Sequence, residues 1–123
     1  MNKEFCVALE KLDKQTVSLF TELDTLLHKS LTEQPDEKLW SKLPMYYIGN
    51  RSIILAPFNG HVNIVSNAAI SHKTEVFINA VASHRDQLKD YKITPRGMLQ
   101  IFCGQEIPKE LLAKIFRETF GQE

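Results

Sequence analysis

Between Met45 and Ser66 two turn-forming dipeptides, Gly49-Asn50 and Asn59-Gly60, are set between runs of apolar residues, and this arrangement constrains the fold more than anything else in the chain. Asn and Gly accept positive φ at low cost, so each dipeptide suits a two-residue hairpin turn. The flanking runs are rich in aromatic and β-branched residues, which favour strands. The pattern predicts strands over Met45–Ile48, Arg51–Ala56 and His61–Ser66, paired as an antiparallel meander.

On either side the hydrophobic period changes. Phe5, Leu9, Leu12, Leu19, Phe20, Leu23, Leu26 and Leu27 recur at three- and four-residue spacing with no Gly or Pro between them. At 100° per residue they fall within an arc about 120° wide, which predicts an N-terminal helix over 1–29, with Asp13 to Thr16 the place for any break. Pro35 stops its continuation. Helical spacing returns over 71–91, with Val76, Phe77, Ala80, Val81 and Leu88 as the buried face and Ser71 as a cap. A strand over Met98–Cys103 follows, and then a Pro-led helix over 108–120, striped by Leu111, Leu112, Ile115, Phe116 and Phe120 and closed by Gly121.

This order predicts a single α+β domain over 1–123. Its sheet region, 44–103, contains the inserted helix and forms a twisted antiparallel sheet of four to five strands with helices packed on one face. Trp40, Leu43, Ile53, Leu55, Leu111, Ile115 and Phe116 are expected to share one core. Along the third strand Val62 and Ile64 point one way while His61, Asn63 and Val65 point the other, which puts His61 on the more polar side.

Composition excludes several roles. Fifteen Lys and Arg balance fifteen Asp and Glu, with no basic stripe, so a nucleic acid is not expected as a partner. Acidic residues interrupt every apolar run near Met1, unlike a secretory leader, and no apolar stretch has membrane-spanning length. Cys6 and Cys103 stand alone, as free thiols do in a reducing cytoplasm. Neither HExxH, CxxC, GxSxG nor a phosphate-binding Gly loop occurs, so no enzyme activity is expected.

The candidate site residues are few. His61, Asn63, Arg51, Tyr47 and Gln100 are expected to converge on the open sheet face as polar groups in an aromatic setting, the character of a small-molecule or partner-binding surface. On the first helix Glu10 and Asp13 are one turn apart, and so are Asp24 and His28, but the two groups are separated by roughly 15 Å of helix and cannot share one ion. His72, Glu75 and Asn79 present donors at helical spacing, while His72 and His84 point about 120° apart.

Glu37 and Trp40 ahead of Leu43-Pro44, Tyr46 at the first strand, His61 heading a short strand, the Arg96-Gly97 turn and the closing "IPKELLAKIF" together resemble the YdhG-like family of the YjbR/CyaY-like group. These features span residues 37 to 116. The resemblance implies a frataxin-like fold and an iron-handling role, with iron bound weakly and passed to iron–sulfur or haem assembly proteins, and it brings no catalytic residues. The metal would be held by carboxylates of the first helix, for which Glu10 and Asp13 are the nearest pair, although Lys3, Lys11 and Lys14 are interspersed there. No cofactor beyond weakly bound iron is implied.

Overall fold

A computed structural model describes residues 1–67 and 74–122. It contains helices α1 (Lys3–Leu9) and α2 (Lys14–Ser30), strands β1 (Asp36–Trp40), β2 (Leu43–Ile48), β3 (Arg51–Phe58) and β4 (His61–Val65), helix α3 (Thr74–Ser83), strands β5 (Lys92–Ile93) and β6 (Leu99–Phe102), and helix α4 (Lys109–Phe120). A short 3-10 turn, Arg85–Leu88, follows α3. All strands pair antiparallel in the order β1-β2-β3-β4-β6-β5. The architecture is α+β, as expected, but with six strands instead of four or five. Among the described residues no helix is long and apolar enough to cross a membrane.

The N-terminal segment is two helices. Asp13 caps α2, its Oδ1 accepting the Thr16 N–H at 2.7 Å. The β3–β4 turn then fixes the break: Asp13 N–H donates to Asn59 Oδ1 at 3.0 Å, and Gly60 N–H donates to Thr16 Oγ1 at 2.9 Å. Tertiary hydrogen bonds thus override a continuous hydrophobic stripe, and α1 turns to lay Phe5 edge-on to Tyr46, with ring centroids 5.4 Å apart.

Sequence patterning missed two strands, the two-residue β5 and the longer β1, whose residues DEKLW read as polar. β1 is an edge strand joined to β2 through Ser41 and Lys42, both at positive φ (48° and 68°), the hairpin geometry usually given to Asn and Gly. At the other edge β5 is only two residues long. Its turn to β6 needs Gly97 (φ 88°), because a Cβ there would stand 2.9 Å from Ile78 Cγ1.

The main core lies between the sheet and the helices. Tyr46, Ile53, Leu55, Val62, Ile64, Leu99 and Ile101 from the strands meet Phe20, Leu23, Leu27, Phe77, Leu112, Ile115 and Phe116 from the helices. Leu111 is only partly buried at its edge, whereas Leu112, Ile115 and Phe116 of α4 are fully enclosed. Trp40 and Leu43 do not join this core. They pack on the opposite face against Met45, Ile54 and Ala56, with Tyr47 and Val65, because Leu43, Met45 and Tyr47 alternate away from Tyr46. The expected cap Ser71 lies outside the described residues.

Candidate functional site

The register fixes which side chains share the open face. His61 stands opposite Phe58 on β3 and Phe102 on β6, and one step along, Asn63 stands opposite Ala56 and Gln100. The imidazole sits between the two phenyl rings, 5.3 Å from Phe58 at 22° between planes and 5.1 Å from Phe102 at 32°. These rings are unusually open for large apolar groups, with Phe58 44% and Phe102 39% exposed. In the next row Asn63 Oδ1 and Gln100 Oε1 are sealed from water, and neither has a hydrogen-bond partner among the described residues. Buried acceptors of this kind are rare, because each forfeits its bond to water on burial.

Three of the five residues expected on this face therefore meet: His61, Asn63 and Gln100. Tyr47 shares the face but sits opposite Ser52, six residues along β3 from Phe58 and so about 20 Å from the His61 row. It packs instead near Lys38, whose Nζ lies 5.0 Å from its ring and 5.9 Å from that of Trp40. Arg51 does not join them. It alternates with Ile53 and Leu55 towards the helices, where Nη1 donates to the Thr119 carbonyl at 3.0 Å and the guanidinium packs against Gly121.

The carboxylates of Glu10 and Asp13 lie on the break between α1 and α2. Glu10 ends the first helix and Asp13 caps the second, so the helical turn expected to align them is absent. Accepting the Thr16 backbone and side-chain donors holds the Asp13 carboxyl below its ordinary value. Cys6 is exposed, and Cys103 is half-buried with Sγ 3.7 Å from Thr16 Oγ1. His84 Nε2 lies 3.3 Å from Glu118 Oε1. His72 lies outside the described residues.

A different cluster forms where the end of α2 meets β1. His28 Nε2 lies 2.8 Å from Glu37 Oε2 and 3.7 Å from Asp24 Oδ1. Tyr46 donates its hydroxyl to Asp24 Oδ1 at 2.7 Å. Burial and the Asp24 carboxylate push the Tyr46 phenol far above its ordinary value, so it stays a donor. Burial opposes a charged His28, but its bonds to Gln34 and Glu37 and the charges of Asp24 and Glu37 prevail and raise its pKa. Among the described residues, Asp24, His28 and Glu37 are the one group of three or more His, Cys, Asp or Glu side chains whose ligand atoms all lie within 4.8 Å of one another. The Asp24–His28 spacing was legible in the sequence. Glu37 was not, because nothing showed that DEKLW would form a strand opposite Tyr46.

No family model, curated protein or solved structure matches the chain.

Proposed function

We propose that the chain is a non-enzymatic binding protein whose ligand lies on the open sheet face, over Phe58, His61, Phe102 and the adjoining Asn63–Gln100 pair. The observation that carries this reading is the unpaired amide pair beside an exposed aromatic stack. One face of a planar ring would be met by the exposed phenyl rings, while N–H groups on its edge would reach the two carbonyl oxygens once the amides swing outward. The expected ligand is therefore a small planar molecule with at least two N–H donors. The reading as a binder and not an enzyme is supported by the surroundings of His61, which among the described residues has phenyl rings beside it and no hydrogen-bonded carboxylate.

The YdhG-like resemblance is supported by the order of elements along the chain, helices preceding and following the strands of an antiparallel sheet, and its iron-handling implication is the second reading. That implication loses the helical turn on which the Glu10–Asp13 pairing rested.

The test is two-dimensional NMR with a fragment set divided into planar N–H donors, planar acceptors and aliphatic molecules. The expected result is saturable shifts at Phe58, His61, Asn63, Gln100 and Phe102 with the first class alone. Absence of any saturable shift on β4 and β6 at millimolar fragment would end the reading.

A further inference from the structure

The cluster at the β1 edge lies on the helix side of the sheet and is independent of the open-face reading. Gln34 determines what it can do. Its Nε2 donates to the carbonyls of His28 and Leu31, both at 2.8 Å, which leaves Oε1 as an acceptor facing His28 Nδ1 at 2.6 Å. Nδ1 must therefore carry a proton, and Nε2 is the atom turned towards Glu37 and Asp24. A bare nitrogen lone pair pointed at two carboxylates is repulsive. Something positive belongs between them, either a second imidazole proton or a cation.

Charge separates these alternatives. Asp24 and Glu37 together carry two negative charges, and among the described residues neither is paired with a Lys or Arg. One imidazole proton leaves a net negative charge beside Asp24, which is only 8% exposed. A divalent cation on a neutral imidazole balances the set. The imidazolium answers the repulsion in the metal-free chain, and a divalent cation that takes the place of its Nε2 proton would in addition neutralise both carboxylates.

The support around the three groups fits the same conclusion. Ligating histidines generally donate their other ring N–H to a carbonyl or carboxylate, the part Gln34 plays here. Tyr46 holds the Asp24 carboxylate by donating to Oδ1, the oxygen nearer His28, and Asn2 Nδ2 reaches Glu37 Oε1 at 3.4 Å, leaving Oε2 to face His28. We propose that Asp24 Oδ1, His28 Nε2 and Glu37 Oε2 bind one divalent transition-metal cation, with Gln34 as the positioning residue. Metal bonds of about 2.0–2.2 Å require ligand atoms no more than about 4.4 Å apart, so little movement is needed. One imidazole and two carboxylates suit zinc, ferrous or manganous ions, whereas calcium and magnesium prefer all-oxygen shells. His28 is one-third exposed, which leaves room for water to complete the shell.

The experiment is titration of the metal-free protein with Zn2+ alone, followed by calorimetry and by 15N imidazole NMR. One equivalent should bind, with the large shift at His28 Nε2, and millimolar Mg2+ or Ca2+ should not compete. Glu37→Gln, which keeps the hydrogen-bonding capacity of the strand, should weaken binding at least tenfold. Gln34→Ala touches no metal, yet should weaken it about 10- to 100-fold and release His28 from its single tautomer in the metal-free spectrum. Absence of saturable binding up to about 1 mM Zn2+ overturns the site, as does binding that shifts His84 and not His28, or an affinity indifferent to Glu37→Gln. An unchanged His28 tautomer in Gln34→Ala overturns the positioning role while leaving the three ligands standing.

Discussion

On the helix-covered face the buried polar groups among the described residues have partners: Thr16 Oγ1 accepts from Gly60, Asp24 from Tyr46, and Thr119 donates its hydroxyl to the Ile115 carbonyl at 2.8 Å. On the open face Asn63 and Gln100 leave two sealed oxygens unmet, and Phe58 and Phe102 are turned to solvent. Both faces belong to the same strands, so neither strand propensity nor hairpin chemistry explains the difference. The covered face is organised for stability. The open one is packed around Met45, Ile54 and Ala56 but at its His61 end keeps arrangements that cost stability, which is the pattern expected where packing alone has not set the residues.

The sharpest way to break this contrast is to remove one side chain from each face. Phe116 is fully buried among the helices, and Phe116→Ala should cost about 3–5 kcal/mol, whereas Val65→Ala, half-buried on the open face, should cost under about 1 kcal/mol. Urea denaturation followed by circular dichroism measures both, and equal losses would mean that the faces do not differ in kind.

A smaller effect of opposite sign is expected at the amide pair. Replacing a buried unpaired acceptor by an apolar group relieves its desolvation, so Asn63→Leu and Gln100→Leu should each stabilise the chain by about 1 kcal/mol and abolish binding of planar N–H donors. A loss of stability in either variant would show that the amides bond to each other and serve the fold.

The smallest effect lies at the α2 cap, on the covered side. The Asp13 carboxyl is lowered from 3.8 by the Thr16 donors, so its contribution is fully present above that value and fades as pH falls through the lower folded value. The melting temperatures of the native chain and Asp13→Asn should therefore differ at pH 7 and converge below about pH 4. A gap that persists unchanged at pH 2 would separate the cap from the carboxylate charge.

Much of this contrast was legible in the sequence where local rules act alone. Gly49-Asn50 and Asn59-Gly60 marked their hairpins, and alternation along β4 placed His61 and Asn63 on the side away from Val62 and Ile64. Register was not legible, because pairing depends on the partner strand. Tyr47 and Gln100 were correctly given to the open face, but only the ladder shows that Gln100 meets Asn63 while Tyr47 lies far along β3. Arg51 was misplaced even though its alternation with Ile53 and Leu55 was legible, whereas the placing of Trp40 depends on the pairing of β1 with β2. The cation cluster depends on β1, and a strand reading DEKLW declares itself only through the neighbour it pairs with. The helix break at Asp13 likewise depends on Asn59, a partner 46 residues away.

That last contact bears on the order in which the chain assembles. The boundary between α1 and α2 is marked locally by the Asp13–Thr16 cap, but its tertiary hold comes from the tip of a hairpin and is complete only once β3 and β4 have met. The bend that brings Phe5 onto Tyr46 is accordingly a late event, and α1 is the part of the fold that waits for the sheet.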